Sequence, residues 1–210
     1  MKISKGLLAT LIIVGIVILD QVLKIWVKTN FYLGESVHIT DWFQLVFIEN
    51  NGMAFGMELG NKLFLTLFRI VAVSLGIWYI SRIVSRNDIP KGYVACCSLI
   101  AAGAAGNIFD CLFYGLIFNN PLPPEVATFL PEAGGYASLF YGKVVDMFYF
   151  PLFSFNWPQW MPFVGGEHFL FFQPIFNLAD AAISIGIFIL ILFYSKHLSS
   201  PNTEEKSSES

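Results

Sequence analysis

Apolar residues in this chain come in long blocks, and the polar ones gather near the block ends. Four blocks, 6–27, 63–83, 93–115 and 176–195, are long enough to cross ~30 Å of hydrocarbon as helices rising ~1.5 Å per residue. The first is interrupted late by Asp20, Gln21 and Lys24 and turns apolar again at Ile25, Trp26 and Val27. Lys2 and Lys5 ahead of it would suit a signal peptide, but no small-x-small cleavage site follows, so a retained span is expected. Between the blocks, 37–48 mixes aromatic and β-branched residues and predicts short strands on the membrane face. The stretch 147–172 is rich in aromatics of the kind that sit at a lipid–water boundary, where a plain anchoring belt is the competing reading. The pattern predicts an all-α membrane protein with four transmembrane helices, a small β-rich subdomain on the outer face and a long outer loop over 116–172. One membrane domain is expected over 1–198.

Short basic flanks orient the spans. Lys2, Lys5, Arg82, Arg86, Lys91 and Lys196 fall on one side of a four-span chain, and basic flanks mark the cytoplasmic side. Both termini are then expected inside, with the polar block ends facing out. The Ser/Glu-rich segment 199–210 reads as a disordered cytoplasmic tail.

Composition agrees with the pattern. Of 210 residues, 56% are hydrophobic and 13% charged, against about a quarter charged in a soluble domain. Mean hydropathy is +0.65. A net charge of −3 without a basic cluster argues against nucleic acid as a partner. Cys96, Cys97 and Cys111 lie in or beside one apolar block without ligand spacing, and read as small packing residues. His38, His168 and His197 are scattered, so neither a metal nor a cofactor is expected.

The candidate chemistry lies in the polar pairs. Asp20 and Lys24 share a helix face at i,i+4, with the carboxylate N-terminal to the ammonium. Asn107 and Asp110 repeat at i,i+3 near the end of the third block, as do Asn177 and Asp180 at the start of the fourth. Asn50, Asn51 and Gly52 fall at the same expected depth. Single pairs of this kind usually join helices by hydrogen bonds. Several at one depth must satisfy one another or meet water and substrate. Arg69 is a lone charge within the second block, and it either pairs with a carboxylate or snorkels. The small residues from Ala101 to Gly106 suit close helix packing.

Four carboxylates compete for a chemical role. Asp20 has Lys24 beside it and suits a structural ion pair, and Asp110 suits bracing a loop. Asp146 follows two β-branched residues in a short expected strand, with only Lys143 as a nearby opposite charge. Asp180 opens the fourth span. If Asp146 and Asp180 meet, they share one proton, and one can activate water while the other protonates a carbonyl oxygen. A small ion- or proton-coupled transporter relaying through Asp20, Asp110 and Asp180 is the alternative. That would need polar residues through the full bilayer depth, which the inner halves of the first and fourth blocks lack.

Five blocks in order carry a family resemblance. They are Asp20-x-x-x-Lys24, Asn50-x-Gly52-x-Ala54-Phe55-Gly56, Gly106-Asn107-x-x-Asp110, Val144-Val145-Asp146 and Phe176-Asn177-x-Ala179-Asp180. The chain resembles bacterial lipoprotein signal peptidase (signal peptidase II), a four-span aspartyl endopeptidase of the cell inner membrane. The resemblance implies that Asp146 and Asp180 are the catalytic dyad. It also implies that Asp20, Lys24, Asn50, Gly52, Asn107, Asp110 and Asn177 shape the site. The implied partners are membrane lipid and prolipoproteins whose cysteine already carries diacylglycerol, cut just before that cysteine. Sensitivity to globomycin-type inhibitors is implied as well. The chain departs from the pattern at Cys111, where an arginine is usual, at Met147, where phenylalanine is common, and in longer outer connections.

Overall fold

The computed structural model describes residues 3–51 and 62–198. Helices α1 (Lys5–Asn30), α2 (Lys62–Ile83) and α3 (Lys91–Phe109) come first. Then α3 runs on through a π-helical turn, Asp110–Tyr114, into the short α4 (Gly115–Ile117), and the last helix is α5 (Leu178–Leu198). Each expected apolar block holds a long helix, and the four long helices are each long and apolar enough to cross a membrane. Segment 199–210, expected to be a disordered tail, lies outside the described residues.

The helices are inverted relative to a soluble bundle. Leu11, Ile18 and Val22 of α1, Phe64, Phe68 and Leu75 of α2, and Phe188, Ile191 and Phe193 of α5 all point outward. In contrast, Asp20, Lys24, Asp110 and Asn177 are 0% exposed. Outward apolar faces are stable only against lipid, and inward polar groups only if they satisfy each other. α3 is the central helix and packs on α1, α2 and α5. Its small residues let the backbones approach. A Cβ on Gly103 would stand 2.2 Å from the Ala179 carbonyl oxygen, and one on Gly106 would stand 2.7 Å from Asp20 Oδ2.

Helix ends differ from the expected limits for local reasons. α1 passes its expected end at 27 because Asn30 Nδ2 donates to the Trp26 carbonyl at 2.8 Å and Lys28 donates to Glu49. The fourth helix starts at Leu178 instead of 176, because Ile175 and Phe176 pair as a strand and Asn177 then caps the helix.

Strands β1 (Ser36–Thr40), β2 (Phe43–Asn50), β3 (Val144–Tyr149) and β6 (Ile175–Phe176) form one antiparallel sheet in the order β1-β2-β3-β6. A separate ladder pairs β4 (Phe153–Asn156) with β5 (His168–Phe171). In β3, Val145 and Met147 pack into an apolar cluster with Val27, Phe31, Phe47, Tyr114 and Phe118. Successive strand side chains point to opposite faces, so Asp146 between them is turned toward the helix ends. A second apolar cluster, including Ile80, Ile83, Tyr93, Val94 and Leu190, fills the other end of the bundle.

Candidate active site

The base of the site is an ionic knot between α1 and α3. Lys24 Nζ lies 2.9 Å from Asp20 Oδ2 and 2.8 Å from Asp110 Oδ2, and all three side chains are fully buried. Gln21 Nε2 closes the knot, donating to Asp110 Oδ1 at 2.8 Å and to Asp20 Oδ2 at 3.1 Å. Its Oε1 accepts from the Tyr114 hydroxyl at 3.0 Å. Asp20 Oδ1 accepts the Ala179 N–H at 3.0 Å. That N–H belongs to the first turn of α5, where donors are otherwise orphaned and the helix dipole favours an anion. Asp110 Oδ2 accepts the Val145 N–H at 3.4 Å. The first aspartate thus fixes the mouth of α5, and the second fixes the strand that carries Asp146. The π turn beginning at Asp110 is a distortion that recurs at functional sites, and no sequence signal announced it.

Asn177 and Asp180 form a reciprocal cap. The Asp180 N–H donates to Asn177 Oδ1 at 2.9 Å, and Asp180 Oδ2 accepts the Asn177 N–H at 3.4 Å. This is the capping-box geometry with amide and acid at i and i+3, and it explains that spacing. Asn177 Nδ2 also donates to Asp146 Oδ1 at 2.7 Å, to Asn107 Oδ1 at 3.1 Å and to the Val145 carbonyl at 3.2 Å. Asn107 completes the bridge. Its Nδ2 donates to Asp180 Oδ1 at 2.7 Å, and its Oδ1 accepts from Lys24 Nζ at 2.8 Å. On the sheet side, Asn50 Nδ2 donates to Asp146 Oδ2. Pairing across the sheet sets this contact, since Ile48 faces Asp146 and Asn50 faces Val144.

Asp146 and Asp180 therefore hang from one network of amides. Burial pushes the Asp146 carboxyl up from 3.8 to about 7, the Asp180 charge pushes the same way, and the Asn177 and Asn50 amides pull it down. A carboxyl that titrates near neutrality beside a second carboxylate can hold one shared proton.

Of the residues singled out in the sequence, Asp20, Lys24, Asn50, Asn107, Asp110, Asp146, Asn177 and Asp180 all converge here. Gly52 lies outside the described residues. Asn50, and not Asn51, reaches Asp146; Asn51 Oδ1 accepts from Lys62 Nζ at 3.3 Å. Sequence reasoning passed over Gln21 and Tyr114, which supply the amide and hydroxyl of the knot. It also missed a second ionic cluster, in which Glu49 pairs with buried Lys28 and, at 3.2 Å, with Lys143. Lys143, the opposite charge nearest Asp146 in sequence, is therefore engaged with Glu49. Polar neighbours, within the first apolar block for Gln21 and just past its end for Lys28, were the available signal.

A cavity of about 460 Å³ leads away from the carboxylates between α2, α3 and α5. Its walls include Phe68, Ala72, Gly76, Ile100 and Ala104, with Asn107 and Asp180 at one end. Arg69 also lines it, and its Nη1 lies 3.6 Å from Cys111 Sγ.

Known proteins resemble this chain in sequence and in fold. The sequence pattern of the family described as Signal peptidase (SPase) II matches residues 12–196. A lipoprotein signal peptidase of Porphyromonas gingivalis is 48% identical over 198 residues, covering 94% of this chain and 87% of that protein. One of Amoebophilus asiaticus is 39% identical over 182 residues, covering 84% and 72%. A solved structure titled as a bacterial membrane enzyme has the same fold, with a TM-score of 0.62 and 23% identity over 94% of this chain and 93% of that one. The family pattern runs from within α1 to within α5, and the chain belongs to the signal peptidase II family.

Proposed function

We propose that Asp146 and Asp180 are the hydrolytic pair with which this signal peptidase II removes signal peptides from prolipoproteins. The observation that carries the reading is the amide bridge. Asn177 and Asn107 link the two carboxyl groups to each other and to the buried Lys24. In the singly protonated pair, the ionised carboxylate takes a proton from water as it attacks the scissile carbonyl. The neutral acid donates to the carbonyl oxygen, and the leaving amine is protonated as the tetrahedral intermediate collapses. A carboxyl displaced toward 7 keeps that state populated near neutral pH.

The cavity between α2, α3 and α5 supplies the approach. Its apolar, small-residue walls suit the hydrophobic segment of a signal peptide, laid so that its end meets Asp180. The lipid on a diacylglyceryl-modified cysteine then stays in the bilayer, and the peptide bond just before that cysteine reaches the carboxylates. Orientation follows from the basic flanks, with both termini cytoplasmic and the site at the outer face of the bacterial inner membrane. Residues 1–198 act as one domain in this reading, and a globomycin-type cyclic peptide blocks the same cavity. The transporter alternative is not favoured, because apolar side chains fill the bundle end away from the site among the described residues.

The test is cleavage of a diacylglyceryl-modified substrate by the full chain in proteoliposomes. Asp146→Asn and Asp180→Asn should each abolish cleavage while the protein keeps its fold, and full activity in either variant would refute the assignment.

A further inference from the structure

The ladder β4–β5 is not used by the site, yet it carries a strongly apolar exposed surface. Over 151–172 the single formally charged side chain is Glu167. Phe163 is 99% exposed and Trp160 80%. Leu152, Phe153 and Phe155 are exposed as well. Ring contacts run along the arm. Phe153 stacks on Phe171 with centroids 4.7 Å apart, and Phe155, Trp157 and Phe169 form a three-ring cluster. Backbone hydrogen bonds close its tip, from the Trp157 N–H to the Glu167 carbonyl at 2.9 Å and from the Gly166 N–H to the Trp157 carbonyl at 3.0 Å. Within that tip Phe163 adopts a φ of +71°, a conformation uncommon for a bulky residue, and its ring points away from the protein.

Where this arm is rooted identifies its occupant. It springs from the pairs Phe148–Phe176 and Tyr149–Ile175, and Phe176 stands two residues before Leu178, where the last span begins. An arm of four-residue strands at ~3.3 Å per residue extends ~13 Å from that root before its tip begins. At that level the surroundings of the helices are lipid headgroups and upper acyl chains. Trp and Phe without compensating charge are the side chains that partition to that boundary, and an apolar surface of this kind marks an interaction site.

We propose that residues 151–172 form a membrane-docking arm whose tip, Trp160 and Phe163, inserts at the headgroup–acyl boundary of the leaflet beside the site. Its root is continuous with β3, so docking the arm fixes the height of the Asp146 strand above the lipid that anchors the substrate. This last step rests on the proposed function; the docking itself does not.

The experiment uses the full chain in phosphatidylcholine vesicles, comparing Trp fluorescence of the native protein with Trp160→Phe. The difference isolates Trp160. Docking requires that this component be quenched by lipids brominated near the top of the acyl chain and be shielded from aqueous iodide. Quenching by iodide with no response to brominated lipid places the tip in water and overturns the proposal. Shielding from both places the ring against protein and overturns it equally. The positional role has its own readout. Trp160→Ser/Phe163→Ser should raise KM several-fold for a vesicle-embedded substrate and leave kcat unchanged, whereas an unchanged KM refutes that role. A chain that docks but cleaves nothing would refute the proposed function and leave the arm standing.

Discussion

Asp146→Asn should remove cleavage and, at neutral and higher pH, make the protein more stable. Asp146 is 3% exposed and its carboxyl is held up near 7 against an ordinary 3.8. At ~1.4 kcal/mol per pH unit, that displacement penalises the ionised native state by about 4 kcal/mol. The native chain holds this proton more tightly than the unfolded chain does. Its stabilising contribution is therefore complete below about pH 3.8, declines as pH rises, and is lost once pH passes about 7. The amide cannot ionise, so it escapes the penalty. It does place an NH₂ where one of the Asn50 or Asn177 amides now donates, which costs about 1–3 kcal/mol. That cost is independent of pH, so the informative quantity is the change in the mutant–wild-type difference between pH 5 and pH 8. It should be about 3 kcal/mol in favour of Asn at the higher pH, or about 6–12 °C in Tm for a chain of this size. The thiols report unfolding directly, since Cys96 and Cys111 are buried and react with a fluorogenic maleimide only when exposed. Parallel pH slopes in the two proteins would refute the claim that Asp146 titrates near neutrality.

Lys24→Met should cost about 3–5 kcal/mol, because it strands the buried Asp20 and Asp110 carboxylates. Adding Asp20→Asn and Asp110→Asn should recover most of that in the same melts, and a loss below 1 kcal/mol in the single variant would contradict the ionic knot. Asn177→Ala removes a donor to the ionised form of Asp146. It should lower kcat roughly 10- to 100-fold, the worth of a hydrogen bond to a charged group, and move the alkaline limb of the pH–rate profile upward; an unmoved limb would detach Asn177 from the titrating group. Cys111→Arg should be strongly impaired, since position 111 is 1% exposed and already touches the Arg69 guanidinium. Activity of Cys111→Arg/Arg69→Ala above that of Cys111→Arg alone would show that the two positions serve one cationic site, and strict additivity would show that they do not.

The helices and the convergence of the polar pairs were legible because both rest on local rules. Apolar blocks of sufficient length specify spans, and polar residues within them are costly enough to be placed for a reason. The spacing of Asn177 and Asp180 is a helix cap, and that of Asp20 and Lys24 is one turn of α1. What the sequence withheld depends on pairing between distant segments. Glu49 meets Lys28 because β2 folds back over the end of α1, and Gln21 meets Tyr114 because a π turn rotates the end of the third span. Both contacts have ordinary residues at their ends, with no spacing to betray them. The start of α5 was misplaced by two residues for the same reason, since pairing of β6 with β3 outweighs the helical preference of an apolar run.

The four aspartates are divided by the kind of donor that reaches them. Asp20 and Asp110 receive the Lys24 ammonium, an opposite charge placed directly on both carboxyl groups. Asp146 and Asp180 receive amides from Asn50, Asn107 and Asn177, which orient a carboxyl and leave its charge unneutralised. Lys24 still acts on the pair at one remove, through the Asn107 carbonyl oxygen, so its charge polarises the amide that holds Asp180. The geometry needs that intermediary. A lysine placed directly on Asp146 would favour its ionised form and work against the raised carboxyl that the proposed proton exchange uses. The buried knot and the amide bridge are therefore one device, in which the ion pairs supply rigidity at the bundle end and the asparagines carry that rigidity to the two carboxyl groups of the proposed pair.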